Sequence, residues 1–157
     1  MIRVLFVCSG NICRSPMADG VFQEMVDKAR LSDQIAVDSA GTGPWHVGEK
    51  AHRGTRNVLK KNGIDYDGRA RQITRADFDS FDYILAMDNS NLASIRRMAN
   101  RNHVEVEMFL HYARVAGTVH REEVPDPYYD GRFDEVYDLV TRGSQSLLDH
   151  IRKTHDL

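Results

Sequence analysis

Apolar positions fall into two alternating rhythms along the chain. Residues 3–7 form a short apolar run ending at Cys8, which predicts a buried strand. Met17, Val21, Phe22, Met25 and Val26 then recur at helical spacing. Ser15-Pro16 predicts the start of that helix, with Pro16 at its first position and Asp19 in its first turn. Residues 35–39 predict a second strand, and 41–48 a loop carrying Trp45. Residues 53–62 predict a helix stopped by Asn62-Gly63. Residues 67–74 are basic and irregular, with Thr74 placed to cap a short helical turn through Phe78. A third strand is predicted at 82–87, a helix at 89–99 with Asp88 and Ser90 as candidate caps, and a fourth strand at 104–110. A long polar segment leads to Pro125-Asp126-Pro127. Residues 133–153 predict a C-terminal helix that turns Phe133, Val136, Val140, Leu147, Leu148 and Ile151 inward, with Gly143 weakening its middle.

Four strands alternating with helices predict an α/β chain: one doubly wound, three-layer domain over 1–157, around a four-stranded parallel sheet. Ligands bind such sheets beyond the carboxyl ends of the strands, and Cys8 lies at one of those ends. The 157 residues suffice for a core without disulfides or metals, and 41% apolar with 28% charged residues is ordinary for a globular protein. A net charge of −2 supplies no global basic field, so no nucleic-acid partner is expected. The apolar run at 3–7 is too short for a signal peptide or a membrane helix; a cytoplasmic protein without a membrane partner is expected. Cys8 and Cys13 are the only cysteines, and their closeness in one loop suits reactive chemistry better than a disulfide framework.

The segment Cys8-Ser9-Gly10-Asn11-Ile12-Cys13-Arg14-Ser15-Pro16 joins a strand end to a helix start. A loop there aims backbone N–H groups inward, and the helix dipole adds partial positive charge. Gly10 allows a tight bend and Asn11 tolerates left-handed geometry. The resulting concavity, from Ser9 through Arg14, suits a tetrahedral oxyanion, and Arg14 can grip two of its oxygens. The same field favours a thiolate at Cys8, poised for in-line displacement at phosphorus. A strand-end cysteine is also a common small buried hydrophobe, but the neighbours here all fit one anion site.

Val7-Cys8-x-Gly10-Asn11-Ile12-Cys13-Arg14-Ser15-Pro16 resembles the signature loop of the low-molecular-weight protein tyrosine phosphatases. The resemblance continues through Asp38-Ser39-Ala40-Gly41, Ala70-Arg71-Gln72-Ile73-Thr74, residues 81–88 and Asp126-Pro127-Tyr128-Tyr129. It implies hydrolysis of phosphotyrosine in proteins through a cysteinyl-phosphate, with inorganic phosphate as product. Cys8 would be the nucleophile, Arg14 the phosphate grip and Asp126 the general acid and base. By residue chemistry alone, Pro-Asp-Pro reads equally as a surface turn. Tyr128 and Tyr129 would wall the pocket, with Ile12 beside its mouth. Ser15 would bond the Cys8 sulfur, and Asn11, held by Ser39, would keep the loop in shape. Asp88 matches a family position but also suits a plain helix cap. Cys13 is a resolving thiol on this resemblance, or a spectator. Trp45 reads either as a contact surface or as a plug over a core edge. In one departure, Gly68 and Arg69 stand where some members carry a histidine near the loop serine.

Rival chemistries on this fold are weaker. Arsenate reduction by thiol relay needs cysteines beyond Cys13, and none follow. On the same resemblance, family members of the phosphoarginine type carry a threonine where this chain has Ile12. A non-catalytic phosphopeptide module would have no use for both Cys8 and Asp126. None of the seven histidines has metal-ligand spacing with an acid, and the cradle with Arg14 supplies the charge a metal would; no metal and no cofactor are expected. Arg96, Arg97 and Arg101 read as a solvated basic face, and 68–71 as a second basic stretch.

Overall fold

The computed structural model describes residues 1–99 and 103–157. Strand β1 (Ile2–Cys8) is buried from Val4 onward, and its alternation splits the core in two. Val4, Phe6 and Cys8 face one layer, built on α1 (Arg14–Lys28) and continued through Val140 and Leu147 of the C-terminal helix. Leu5 and Val7 face the other, with Phe78, Leu92 and Ile95. Phe6 anchors the first layer: its ring meets Phe22 at 5.6 Å and Phe109 at 5.4 Å, both edge-on. Each such pair contributes about 0.5–1.5 kcal/mol beyond area burial.

Strands β2 (Ile35–Gly41), β3 (Tyr83–Ala86) and β4 (Glu105–Met108) complete a parallel sheet in the order β2-β1-β3-β4. The helices between and after them are α2 (Arg53–Lys61), α3 (Asp77–Ser80), α4 (Asn89–Met98), α5 (His111–Val115), α6 (Pro127–Asp130) and α7 (Phe133–His155). From β1 the chain runs outward to β2, then returns past β1 to β3. The direction of winding therefore changes between β1 and β3. A ligand crevice is expected beyond their carboxyl ends, at Cys8 and just past Ala86. No helix among the described residues is long and apolar enough to cross a membrane.

Several local expectations are corrected. Helix α1 begins at Arg14, so Pro16 is its third residue and Asp19 lies beyond the first turn. Proline is tolerated there because the first four N–H groups of a helix have no intrahelical acceptor. Thr74 does not cap α3: its N–H and hydroxyl both bond Asp77 Oδ2, and Ala76 precedes the helix. Asp88 caps α4 through the Asn91 N–H at 2.7 Å, and Ser90 lies inside the helix. The polar segment before Asp126 contains α5, which buries Tyr112 and Ala113. Gly143 is a packing requirement: a Cβ there would lie 2.8 Å from the Phe109 ring. Arg101 lies outside the described residues, while Arg96 and Arg97 are solvated as expected.

Candidate active site

Residues 8–13 carry the chain from the end of β1 into α1, and the neighbouring backbone takes up their carbonyls. Cys8 O accepts from Thr42 N (2.9 Å), Ser9 O from Gly43 N (3.1 Å) and Ile12 O from His52 N (2.7 Å). Cys13 O accepts from Thr55 Oγ1 at 3.0 Å. With these carbonyls turned outward, the loop's N–H groups are left to the concave side, where the α1 dipole adds to them.

One side chain fixes this shape. Asn11 is in the left-handed region at φ 56°, a conformation asparagine tolerates better than most residues. Its amide nitrogen donates to Ser15 Oγ (2.8 Å) and Ser39 Oγ (3.0 Å). Its Oδ1 accepts the Arg71 backbone N–H at 2.9 Å, which settles the orientation of the amide. Gly10 has no positive φ, contrary to the expectation that glycine freedom makes the bend; it leaves room instead, since a Cβ there would come 2.9 Å from the His46 ring. Gly41, at the end of β2, lies against the loop backbone itself. A Cβ on it would meet Ser9 O at 2.8 Å and Asn11 N at 3.1 Å.

Cys8 Sγ lies 3.0 Å from Ser15 Oγ, and both groups are buried. Cys13 is also buried, and burial pushes its thiol up to about 12, with Cys8 and Asp126 adding to the effect and Arg14 opposing it. It is therefore a neutral thiol in the physiological range. Arg14 is 2% exposed. Asp88 Oδ2 (2.7 Å) and the Val124 carbonyl (3.1 Å) hold its Nη1, and Asp126 Oδ2 stands 3.5 Å from its Nη2. Burial works against the charge, but Cys8, Asp88 and Asp126 raise the guanidinium pKa overall. Asp88 thus serves as helix cap and as arginine anchor, one oxygen to each. Asp126 caps α6, its Oδ1 accepting from Tyr128 N at 3.1 Å.

These groups surround a cavity of about 450 Å³, with Cys8, Ser9, Gly10, Cys13 and Arg14 at its buried end. The rim carries Trp45, 68% exposed, and Tyr129, 86% exposed. Trp45 is therefore a rim residue and no core plug; its indole lies over Gly43. Tyr128 packs edge-on to Tyr129 at 5.1 Å and to His52 at 5.8 Å. Ile12 lines the cavity but is mostly buried, packed with Cys13, Ala70 and Phe133.

His46, His52 and Asn91 carried no signal in the sequence as site residues. His46 lines the cavity and pairs with Glu49 at 3.0 Å. His52 stacks on Phe133 at 4.9 Å and holds the Ile12 carbonyl. Asn91 is buried and donates to Ser9 Oγ at 3.1 Å. Arg71 is part-buried and paired with Asp38 and Asp77, so its charge is structural. Where the departure from the family pattern leaves no histidine, Ser39 Oγ meets the Tyr66 hydroxyl at 3.4 Å.

Gly41→Ala is expected to cut kcat/KM for an aryl phosphate by at least about tenfold while circular dichroism stays native, because the added methyl strikes loop backbone that cannot rotate away. A rate within twofold of wild type, about the limit of measurement, would show that the loop yields without cost.

A pH effect follows from Asp19. Burial pushes its carboxyl up from 3.8 to about 6, the Tyr66 hydroxyl opposing and Asp38 adding to it. The protonated form is thus favoured in the folded state. Its contribution to stability is fully present below pH 3.8 and is lost as pH rises through about 6. Asp19→Asn, uncharged throughout, is expected to melt about 2–4 °C above wild type at pH 8, on the order of 1 kcal/mol after discounting for partial exposure. The difference should shrink toward pH 4; a difference independent of pH contradicts this account.

A family profile described as "Low molecular weight phosphotyrosine protein phosphatase" matches residues 3–157. The low molecular weight protein-tyrosine-phosphatase YfkJ of Bacillus subtilis is 46% identical over 159 aligned positions, covering 100% of both chains. The YfkJ crystal structure superposes with a TM-score of 0.92, covering 98% of this chain and 96% of that one. A protein tyrosine phosphatase structure from Entamoeba histolytica gives 0.92 at 32% identity, with 99% of each chain covered. A structure of the Drosophila arginine phosphatase DARP gives 0.89 at 34% identity, covering 96% of this chain and 98% of that one. With the profile matched over nearly its whole length and a relative sharing almost half its residues, the chain belongs to the low-molecular-weight protein tyrosine phosphatase family.

Proposed function

We propose that residues 1–157 form one phosphatase domain that hydrolyses phosphotyrosine in proteins and releases inorganic phosphate. One observation carries the reading: the buried Cys8 sulfur, the anchored Arg14 guanidinium and the Asp126 carboxyl converge on one cavity beneath an aromatic rim.

The phosphate oxygens take the inward N–H groups of 9–13 and the free edge of Arg14. The Cys8 thiolate attacks phosphorus in line. The S–P bond forms as the P–O bond to tyrosine breaks, and the phenolic oxygen takes the proton of Asp126. The Asp126 carboxylate then accepts a proton from a water that attacks the thiophosphate. The S–P bond breaks, and the electron pair returns to sulfur, where the Ser15 hydroxyl can donate to it. The preorganised cradle stabilises the charge on the transferring phosphoryl group, and stabilisation of this kind usually lowers the barrier more than any other single effect.

Tyr128, Tyr129 and Trp45 favour a flat aryl leaving group. Phosphoarginine is the second reading, raised by the Drosophila relative. We place the enzyme in the cytoplasm on its two free cysteines, which a reducing compartment preserves.

The test is a hydrolysis panel of phosphotyrosine, phosphoserine and phosphoarginine peptides with wild type, Cys8→Ser and Asp126→Asn. Phosphotyrosine is expected to turn over fastest. Cys8→Ser should be inactive, and Asp126→Asn about 10²–10⁴-fold slower with phosphate binding retained. Activity in Cys8→Ser would refute the thiophosphate route, and a preference for phosphoarginine would replace the tyrosine reading.

A further inference from the structure

The bonds around Asn11 extend past Ser39 to groups remote from the cavity. Asn11 donates both amide protons, one to Ser15 Oγ and one to Ser39 Oγ. Each hydroxyl, having accepted, must send its own proton elsewhere. For Ser15 the acceptors are the Cys8 sulfur at 3.0 Å and the Ala40 carbonyl at 3.3 Å. For Ser39 the partners are the Tyr66 hydroxyl at 3.4 Å, a long bond, and the Asp19 carboxyl, whose pKa the Ser39 hydroxyl lowers. Tyr66 in turn donates to Asp19 Oδ2 at 2.9 Å. Burial, with Asp19 adding to it, raises the Tyr66 hydroxyl pKa, so it remains a donor at any physiological pH.

The ends of this chain set its direction. An ionised carboxylate at Asp19 and a thiolate at Cys8 can only accept, and the Asn11 amide between them can only donate from its nitrogen. The Arg71 N–H on Asn11 Oδ1 prevents the amide from flipping. Ser15 and Asp19 both belong to α1, one turn apart on the same face, so the path Cys8–Ser15–Asn11–Ser39–Tyr66–Asp19 leaves the helix and returns to it. Gly68 makes the closure possible, since a Cβ there would lie 2.4 Å from the Tyr66 hydroxyl.

We propose that Tyr66 and Asp19 are positioning residues for the reaction: by taking the Ser39 proton, they keep Ser39 an acceptor for Asn11. Asn11 then holds its left-handed turn, and Ser15 keeps its proton for Cys8. This rests on Cys8 being the nucleophile.

Tyr66→Phe removes one oxygen and keeps the ring. It is expected to lower kcat/KM for an aryl phosphate, and the rate at which iodoacetate alkylates Cys8, each by about fivefold, the effect of one lost hydrogen bond. The inhibition constant of inorganic phosphate should move by under about twofold, since the N–H cradle and Arg14 remain. Asp19→Ala reaches the chain from its other end and should give the same pattern. In a Ser39→Ala background Tyr66→Phe should cost nothing further, because the link is already broken. Losses that multiply in the double variant overturn the proposal. So does wild-type alkylation in Tyr66→Phe, or a fall in Tm that leaves both rates unchanged. If Cys8→Ser itself keeps the rate, the nucleophile assignment fails; if Cys8→Ser is inactive and Tyr66→Phe is unaffected, only the present inference fails.

Discussion

The site depends on one residue held against its preference. In the left-handed region Asn11 pays roughly 1–2 kcal/mol relative to ordinary helical backbone, less for asparagine than for most side chains. Three hydrogen bonds on its side chain, at 2.8, 3.0 and 2.9 Å, oppose that cost at about 1 kcal/mol each. Their partners come from α1, the end of β2 and the segment before α3, so loop shape is a property of the whole assembly. Reversal at Asn11 turns the carbonyls of the loop toward residues 42, 43, 52 and 55 and leaves the amides facing inward. A cradle of dipoles therefore exists before any phosphate arrives, which is the condition for strong electrostatic stabilisation.

Charge is managed by the same few elements. A buried guanidinium needs a partner, and breaking a buried pair costs several kcal/mol. Asp88 supplies that partner with one oxygen while its other oxygen caps α4. The start of α4 and the start of α1 are therefore fixed relative to each other across the switch point between β1 and β3. Asn91, three residues on, holds Ser9 at the opposite end of the loop. Both ends of the cradle are thus tied to one helical turn. The two cysteines of the loop differ as well: burial keeps Cys13 neutral, while the Cys8 sulfur faces the Ser15 hydroxyl at the foot of the cavity.

Much of this is legible in the residues. Strand order cannot be read directly, but four apolar runs alternating with helices point to a parallel sheet, and Cys8 at a strand end locates the crevice. The spacing from Cys8 to Pro16 reads as a candidate phosphate loop, and the family blocks add Asp126 as the candidate acid. What stays hidden is tertiary. Gly41 looks like any glycine until its missing Cβ is seen against Ser9 O. Tyr66 sits in an irregular polar stretch with no periodicity to mark it, and its link to Ser39 spans 27 positions. Local rules misplace Thr74 and Pro16 because Asp77 and the loop geometry outweigh them. Sequence spacing speaks of the histidines only as metal ligands, whereas His46 and His52 act as cavity wall and stacking partner.

The central claim is that phosphate passes through the Cys8 sulfur. Acid-quenched turnover of a labelled aryl phosphate by the Asp126→Asn variant, followed by peptide mapping, tests it most directly. The account predicts protein-bound label on the peptide carrying Cys8, accumulating on the time scale of the first turnover. Turnover with no protein-bound label, or label on any other residue, would contradict it.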